Sequence, residues 1–212
     1  MAVKIGIMNE ILSPELLQRI GALALSATMV MGSPGPSTMS AMAVTAAFGA
    51  RQAAAYVLGL VVGTAAVLIV VALGLFTVVS TVPWLNSMIA WAGTVYVLYL
   101  AFRIATAPAL EGDCHERSPP SFAAATLLAV SNPKAYLAIA SVFGGTTLLA
   151  VPKSDAFLKV LLLALLIVVI HLTWMVGGGG LANRLRSPSV MRRMNMLMGI
   201  LLAISAVVPY LR

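Results

Sequence analysis

Three long stretches of this chain contain no charged side chain, and they constrain its fold more than any other feature. No Asp, Glu, Lys or Arg lies within residues 52–102, 160–183 or 194–211. A membrane-spanning helix needs about 20 predominantly apolar residues, which these stretches supply. Only 9% of all residues are charged and 61% are hydrophobic, whereas a soluble domain carries about 25% charged residues. We therefore expect an all-α protein that lies in a lipid bilayer.

The apolar segments predict about six transmembrane helices in two halves of three. They span residues 16–33, 52–80, 84–103, 121–150, 157–182 and 194–211, with a shorter apolar piece at 36–50. The chain thus divides into an N-terminal surface extension (1–15), a first half (16–103), a polar connecting loop (104–120) and a second half (121–212). Because an odd number of spans inverts the second half, related halves would form inverted repeats, as in many secondary transporters.

The basic residues of the chain fit a membrane protein better than a nucleic-acid-binding protein. The net charge is +7, but the one dense basic group flanks two apolar segments (Arg184, Arg186, Arg192 and Arg193), where a cytoplasmic loop carries positive charge. The distribution of basic residues over all loops favours both termini outside. The single cysteine, Cys114, provides neither a disulfide framework nor a metal cluster. We expect no cofactor, no metal and no nucleic-acid partner.

Each half opens with an apolar segment that proline interrupts. The first interruption lies at residues 32–38 and the second at residues 131–134. Proline disrupts the preceding turn, yet it is favoured at the first position of a new helix, and asparagine is a good N-cap. Broken helices at corresponding positions of two halves are the best sequence indication of a transporter's binding site. The alternative is a pair of ordinary kinks, which transmembrane helices tolerate.

The two predicted breaks suit a zwitterion such as an amino acid. A helix start presents free N–H groups and partial positive charge, so a carboxylate is expected near residues 36–38 and 133–134, with Lys134 adding positive charge. The ammonium is expected at carbonyls near Gly32, Ser33 or Ser131. The predicted substrate-binding residues are Ser33, Pro34, Gly35, Pro36, Ser37, Thr38, Asn132, Pro133 and Lys134.

Other polar or small residues within the spans are further candidates. His171 is, besides Lys134, the titratable side chain near the centre of a span, and such residues are functional by default. We predict that His171 couples protons or contacts the substrate, against the alternative of a neutral histidine bonded to a neighbouring helix. Gly59 and Gly63 form a small-xxx-small pair that predicts close helix packing. For the glycines at 177–180, tight packing and a hinge remain alternatives.

The lack of acids inside the spans bears on the transported solute. Divalent metals prefer carboxylate, imidazole or thiolate clusters, and a cationic amino acid would favour a buried carboxylate. Neutral amino acids or their derivatives are therefore predicted as substrates. The alternatives are an exporter of another small solute or a cation on the same fold, a membrane enzyme and a non-transporting scaffold.

A series of ordered motifs resembles the LysE/RhtB family of amino-acid exporters over residues 16–212. The motifs are Ser33-Pro34-Gly35-Pro36, residues 59–63, residues 91–100 with Arg103, Phe122, Ser131-Asn132-Pro133-Lys134-Ala135, Trp174, residues 184–188 and Gly199. The resemblance implies export of amino acids or close derivatives by a six-helix, multi-pass protein of the bacterial inner (plasma) membrane, driven by protons or the membrane potential, with a homodimer as the implied assembly. Thr64 and His171 stand where family members often carry an acid.

Overall fold

Helices make up nearly all of the chain that the structure describes. The structure is a computed structural model that describes residues 13–74, 83–106, 118–184 and 188–207. Within these ranges the chain forms α1 (Pro14–Met31), α2 (Pro36–Phe48), α3 (Ala50–Ala72), α4 (Pro83–Ala105), α5 (Phe122–Val130), α6 (Pro133–Gly145), α7 (Pro152–Arg184) and α8 (Pro188–Val207). Most of the predicted surface extension (1–15) and of the connecting loop (104–120) lies outside the described residues.

The first helix of each half begins with a serine cap. The Ser13 Oγ accepts a hydrogen bond from the backbone N of Leu16 at 3.3 Å, and Pro14 occupies the first helical position. The Ser121 Oγ accepts from the backbone N of Ala124 at 3.2 Å. Serine is favoured here because its hydroxyl satisfies an amide that has no carbonyl partner within the helix. Both halves therefore start with the same local chemistry.

Both predicted breaks are present, and they bend the chain sharply. Among the described residues, α3 and the Pro152–Gly180 part of α7 are each long and apolar enough to cross a membrane. The pair α1 and α2, bent by 67°, and the pair α5 and α6, bent by 59°, meet the same criterion as units. The described chain thus provides two to four candidate spans. Six spans in two inverted repeats remain a prediction.

The outward faces of the helices are apolar. Leu58 and Ile69 on α3 are 56% and 46% exposed, and Leu165 and Val176 on α7 are 62% and 72% exposed. A soluble protein rarely leaves large contiguous apolar patches in water, and helices that are hydrophobic on all sides are typical of membrane spans. Lipid is the environment that this surface fits.

The closest packing joins one half of the chain to the other. The helix α5 packs along α3, and α2 packs along α7. The long helices α3 and α7 also contact each other, and α4 packs against α8. Each bent pair therefore lies against the long helix of the opposite half, which brings the two breaks into the same region.

Gly59 and Gly63 form the surface of α3 that faces α5. A Cβ at Gly63 would lie 2.7 Å from the Cβ of Ala129 and 2.8 Å from the backbone O of Thr126. A Cβ at Gly59 would lie 2.8 Å from the Cβ of Ala125, and the backbone O of Gly59 accepts a hydrogen bond from the Thr126 Oγ1 at 3.2 Å. The structure thus places both glycines in helix packing, as the small-xxx-small spacing predicts.

We expect Gly63→Ala to destabilise the protein because the new methyl group meets backbone atoms, which cannot move aside independently. Overpacking of this kind costs about 1–3 kcal/mol. Thermal unfolding of the purified protein in detergent measures the change. Gly144→Ala is the matched control, since a Cβ at Gly144 meets nothing within 4 Å. Equal melting temperatures for the two variants would contradict the packing role of Gly63.

The glycines at 177–180 occupy different environments on one continuous helix. A Cβ at Gly178 would overlap the backbone carbonyl of Met42 on α2, whereas Gly177 and Gly180 have no such neighbour within 4 Å. The helix α7 runs unbroken through all four residues. The two alternatives for these glycines are tight packing and a hinge. The close approach of Gly178 to Met42 supports tight packing.

Among the described residues one acid is buried, which corrects the expectation that no buried carboxylate exists. Asp155 and Lys159 are 8% and 5% exposed, and their Oδ2 and Nζ atoms are 2.7 Å apart. The helix α7 begins at Pro152, ahead of the predicted apolar segment 157–182, so Asp155 falls in the first turn, where the helix dipole favours a carboxylate. The neighbouring loop folds over this pair, which removes both residues from solvent.

Candidate functional site

The two helix breaks contact each other, although about a hundred residues separate them in sequence. The Asn132 Nδ2 donates a hydrogen bond to the Ser37 Oγ at 3.0 Å. The Lys134 Nζ donates to the Ser33 backbone O at 2.7 Å, to the Ser33 Oγ at 2.8 Å and to the Pro34 backbone O at 2.8 Å. The second break thus supplies donors, and the first break supplies acceptors.

The Lys134 ammonium is fully engaged by the first break. Its three N–H groups match the three oxygen acceptors of Ser33 and Pro34. Gly35 leaves room for this approach, because a Cβ there would lie 2.7 Å from both the Cδ and the Nζ of Lys134. The sequence Ser-Pro-Gly-Pro therefore provides the acceptors and also the space beside them.

The carbonyls of the first break are not free, in contrast to the predicted ammonium site. The carbonyls of Ser33 and Pro34 accept from Lys134, and the Gly32 carbonyl accepts from the Trp174 Nε1 at 3.1 Å. Lys134, expected beside the carboxylate of the solute, lies on the ammonium side instead. The physical reason is that the free carbonyls after a helix C-terminus attract a cation, and the long lysine side chain reaches them.

The two helix starts differ in what they can offer a carboxylate. The helix α6 is capped from within, because the Asn132 Oδ1 accepts from the backbone N of Lys134 at 3.1 Å. The helix α2 begins after Gly35 with Pro36 at its first position. The following amides, of Ser37 and Thr38, lie in the first turn, where no carbonyl within the helix can accept from them. Of the two predicted positions, the start of α2 is the one left for an anion.

A small cavity lies beside the two breaks. Its volume is about 40 Å³, and a single water needs about 10–15 Å³ on this measure, so it has room for a few water molecules. The residues that line it are polar or glycine (Gly35, Ser37, Thr38, Thr64, Asn132, Lys134 and His171) or apolar (Met31, Ala135, Ala138, Ile139, Ile167 and Ile170).

The cavity lies near the middle of the two long helices. Thr64 falls in the middle third of α3, and His171 falls in the middle third of α7. At a rise of 1.5 Å per residue, Thr64 is about 21 Å and His171 about 28 Å from the start of its helix. A polar cavity at this depth is where a transporter's site is expected.

His171 is buried and bonds to its own helix rather than to a neighbouring one. It is 3% exposed, and its Nδ1 lies 2.8 Å from the backbone O of Ile167. Its Nε2 is buried and has no hydrogen-bond partner within the described residues. The Oγ1 of Thr64, which is 6% exposed, is in the same situation there.

The structure divides the predicted site residues into two sets. Gly35, Ser37, Thr38, Asn132, Lys134 and His171 line the cavity. Ser33, Pro34, Pro36 and Pro133 shape the breaks: Ser33 and Pro34 bind Lys134, and the two prolines start their helices. Thr64 was not among the predicted site residues. Its signal was a hydroxyl in a charge-free span directly after Gly63.

Comparison with known proteins identifies a family and relatives of this chain. The family model described as LysE type translocator matches residues 27–209. A cysteine/O-acetylserine efflux protein of Escherichia coli (strain K12) is 27% identical over 202 residues, which cover 92% of this chain and 98% of the relative. An uncharacterized membrane protein of Vibrio cholerae is 27% identical over 186 residues, which cover 84% of this chain and 89% of the relative. No solved structure gives a significant match.

Proposed function

Because the chain belongs to the LysE type translocator family, and is therefore a membrane transporter rather than an enzyme, we propose that it exports neutral amino acids or their derivatives from the cytoplasm across the bacterial inner membrane. The match to this family confirms the resemblance that the sequence motifs predicted. The efflux relatives support an exporter of amino-acid-like solutes. The preference for neutral solutes is inferred from the contacts of the site.

The observation that carries the proposal is the contact between the two helix breaks. Lys134 and Asn132 of the second break bind Ser33, Pro34 and Ser37 of the first. The cavity beside this contact is lined by both polar and apolar residues, and an amino acid likewise joins polar main-chain groups to a side chain. Broken helices that meet near the middle of a bundle are how secondary transporters build substrate sites.

The solute's two main-chain charges have separate places in this site. The carboxylate would bind the first-turn amides of α2 at Ser37 and Thr38, where the helix dipole favours an anion. The ammonium would compete with Lys134 for the carbonyls of Ser33 and Pro34. If it displaces Lys134, the freed lysine ammonium can pair with the carboxylate. The zwitterion would thus replace the contact between the Lys134 ammonium and these carbonyls with an equivalent contact of its own ammonium.

A neutral solute fits this site better than a cationic one. The residues that line the cavity include no carboxylate. The buried Asp155 is neutralised by Lys159 and lies sixteen residues before His171 on α7, which is about 24 Å along the helix. A cationic side chain in the cavity would meet the Lys134 ammonium with no acid to compensate, so we place cationic amino acids second.

The packing between halves supports an inverted-repeat transporter with six spans. Each bent pair lies against the long helix of the other half, and the site forms where they meet. In this arrangement, movement of one half against the other would open the site to alternate sides of the membrane. His171 would serve as a proton-coupling group or as a substrate contact.

Efflux from dipeptide-loaded cells tests the proposed function. Cells that express the chain are expected to release small neutral amino acids faster than cells with an empty vector. Ser37→Ala removes the acceptor of the hydrogen bond from Asn132, one of the contacts between the two breaks, and the loss of one hydrogen bond predicts a rate lower by about 2- to 10-fold. Rates are normalised to the amount of protein in the membrane.

Ser141→Ala is the matched control for this experiment. Ser141 is exposed on α6, and its Oγ donates to the backbone O of Ala138 in the same local way as many helical serines. Its efflux is expected to equal that of the wild type. If no amino-acid efflux depends on the chain, the proposed function is wrong.

A further inference from the structure

Two buried polar atoms on the cavity wall lack a hydrogen-bond partner within the described chain. They are the Nε2 of His171 and the Oγ1 of Thr64, and both residues line the cavity. Buried polar atoms are paired in most native structures, so an unpaired one requires an explanation. A polar group bound in the cavity would give both atoms a partner.

The hydrogen bond on the other side of the His171 ring fixes what its Nε2 can accept. The Nδ1 lies 2.8 Å from the carbonyl oxygen of Ile167, which can only accept, so Nδ1 carries the hydrogen. In the neutral ring the Nε2 then offers a lone pair. The cavity lining contains no carboxylate to pair with an imidazolium, and Lys134 already brings one positive charge to it. The missing partner of Nε2 is therefore a hydrogen-bond donor.

The size of the cavity limits what that donor can be. A volume of about 40 Å³ holds a few heavy atoms, since a single water needs about 10–15 Å³ on this measure. A whole amino acid does not fit. A short side chain does fit, if the main-chain groups stay at the helix breaks.

We propose that the cavity between Thr64 and His171 is the side-chain subsite of the transported amino acid, and that it selects a short side chain ending in a hydroxyl or thiol donor. The hydroxyl or thiol would donate its hydrogen to the Nε2 of His171, and the Thr64 hydroxyl would donate to its oxygen or sulfur. Ile139, Ile167 and Ile170 would enclose the methylene group. This inference rests on the proposed function, and it assigns His171 to substrate contact.

The test compares the export of serine with that of 2-aminobutyrate, in which a methyl group replaces the hydroxyl at nearly equal size. Cells that express the full chain are loaded with matching dipeptides, and each efflux rate is divided by the internal concentration of that amino acid. The wild type is expected to prefer serine by about tenfold, the upper value for one neutral hydrogen bond. Thr64→Val and His171→Leu are expected to bring the ratio towards one.

Thr173→Val is the control because it makes the same substitution on α7, outside the cavity. The Oγ1 of Thr173 is exposed and donates to the backbone O of Val169, so the wild-type ratio is expected to persist. If the cavity only holds water, the wild-type ratio of serine to 2-aminobutyrate efflux will be near one. That result overturns the subsite but does not contradict the proposed export function. Unchanged ratios in both cavity variants overturn the subsite as well. Release of neither amino acid overturns the subsite, whereas the proposed function fails only if no amino-acid efflux depends on the chain.

Discussion

We expect Lys134→Met to lower the rate of amino-acid export by about 10- to 100-fold. The substitution keeps the length of the side chain but removes three hydrogen bonds from a cation to Ser33 and Pro34. The expected loss is that of one hydrogen bond to a charged group, the one that the displaced lysine would make to the carboxylate of the solute, because such a bond contributes about 1.5–3 kcal/mol and about 1.4 kcal/mol corresponds to a factor of ten. Efflux from dipeptide-loaded cells, normalised to the amount of protein in the membrane, measures the loss.

Two further variants distinguish the loss of the Lys134 contacts from the loss of a positive charge. Lys153→Met removes a charge elsewhere, and Gly35→Ala disturbs the contacts while the charge remains. Lys153 is exposed at the start of α7, so its replacement by methionine is expected to leave export unchanged. Gly35→Ala keeps the lysine but places a methyl group 2.7 Å from its Nζ, so export is expected to fall with the charge intact. Wild-type export by Lys134→Met would contradict the role of the breaks. Gel filtration in detergent shows whether each variant is folded.

The second large effect is expected from Asp155→Ala, which should lower the free energy of unfolding by about 3–5 kcal/mol. The Asp155 Oδ2 lies 2.7 Å from the Lys159 Nζ, and its Oδ1 accepts hydrogen bonds from the backbone N atoms of Leu148 at 2.6 Å and Leu149 at 3.0 Å. The Lys159 Nζ also donates to the Phe143 carbonyl at 2.9 Å. Removing the carboxylate leaves a buried cation and two buried amides without their acceptor.

Thermal unfolding in detergent measures this loss, which corresponds to a fall of about 6–20 °C in the melting temperature of a chain of this length. The melting temperature of the double variant Asp155→Asn with Lys159→Met is expected to fall less. No charge is then left unpaired, and the amide oxygen of the asparagine can still accept from the loop amides. A double variant less stable than Asp155→Ala would contradict this account.

Glu15→Ala is the matched control for the buried pair. Glu15 and Arg19 have the same spacing on a helix, but their side chains are 79% and 46% exposed and 3.9 Å apart. Exposed pairs contribute about 0–1 kcal/mol, so the melting temperature is expected to change little. If Glu15→Ala lowered the melting temperature as much as Asp155→Ala, burial of the ion pair would not explain the loss of stability.

The sequence predicted the helical class and the position of both breaks because these follow from local rules. Residues 34–36 and 132–133 interrupt their segments through proline, and α2 and α6 begin at Pro36 and Pro133. Segment ends were less accurate. The helix α7 begins at Pro152 rather than at 157, because the prediction followed hydrophobicity and did not foresee a buried ion pair in the first turns.

The sequence singled out residues of the candidate site but not the contacts between them. Six of its predicted residues line the cavity, since polar residues in an apolar span are few and conspicuous. The partner of Lys134 was not predicted, because a lysine can reach acceptors on any neighbouring helix. The role of Gly35 depends on that contact and could not be foreseen either.

The sequence by itself determined that this chain lies in a membrane and that each half opens with a broken helix, since hydrophobicity and proline act over a few neighbouring residues. Only the tertiary structure decided that Lys134 occupies the carbonyls of the first break, and that Thr64 and His171 share one cavity. These contacts join residues about a hundred positions apart. They depend on how the two halves pack, and local sequence patterns do not contain that information.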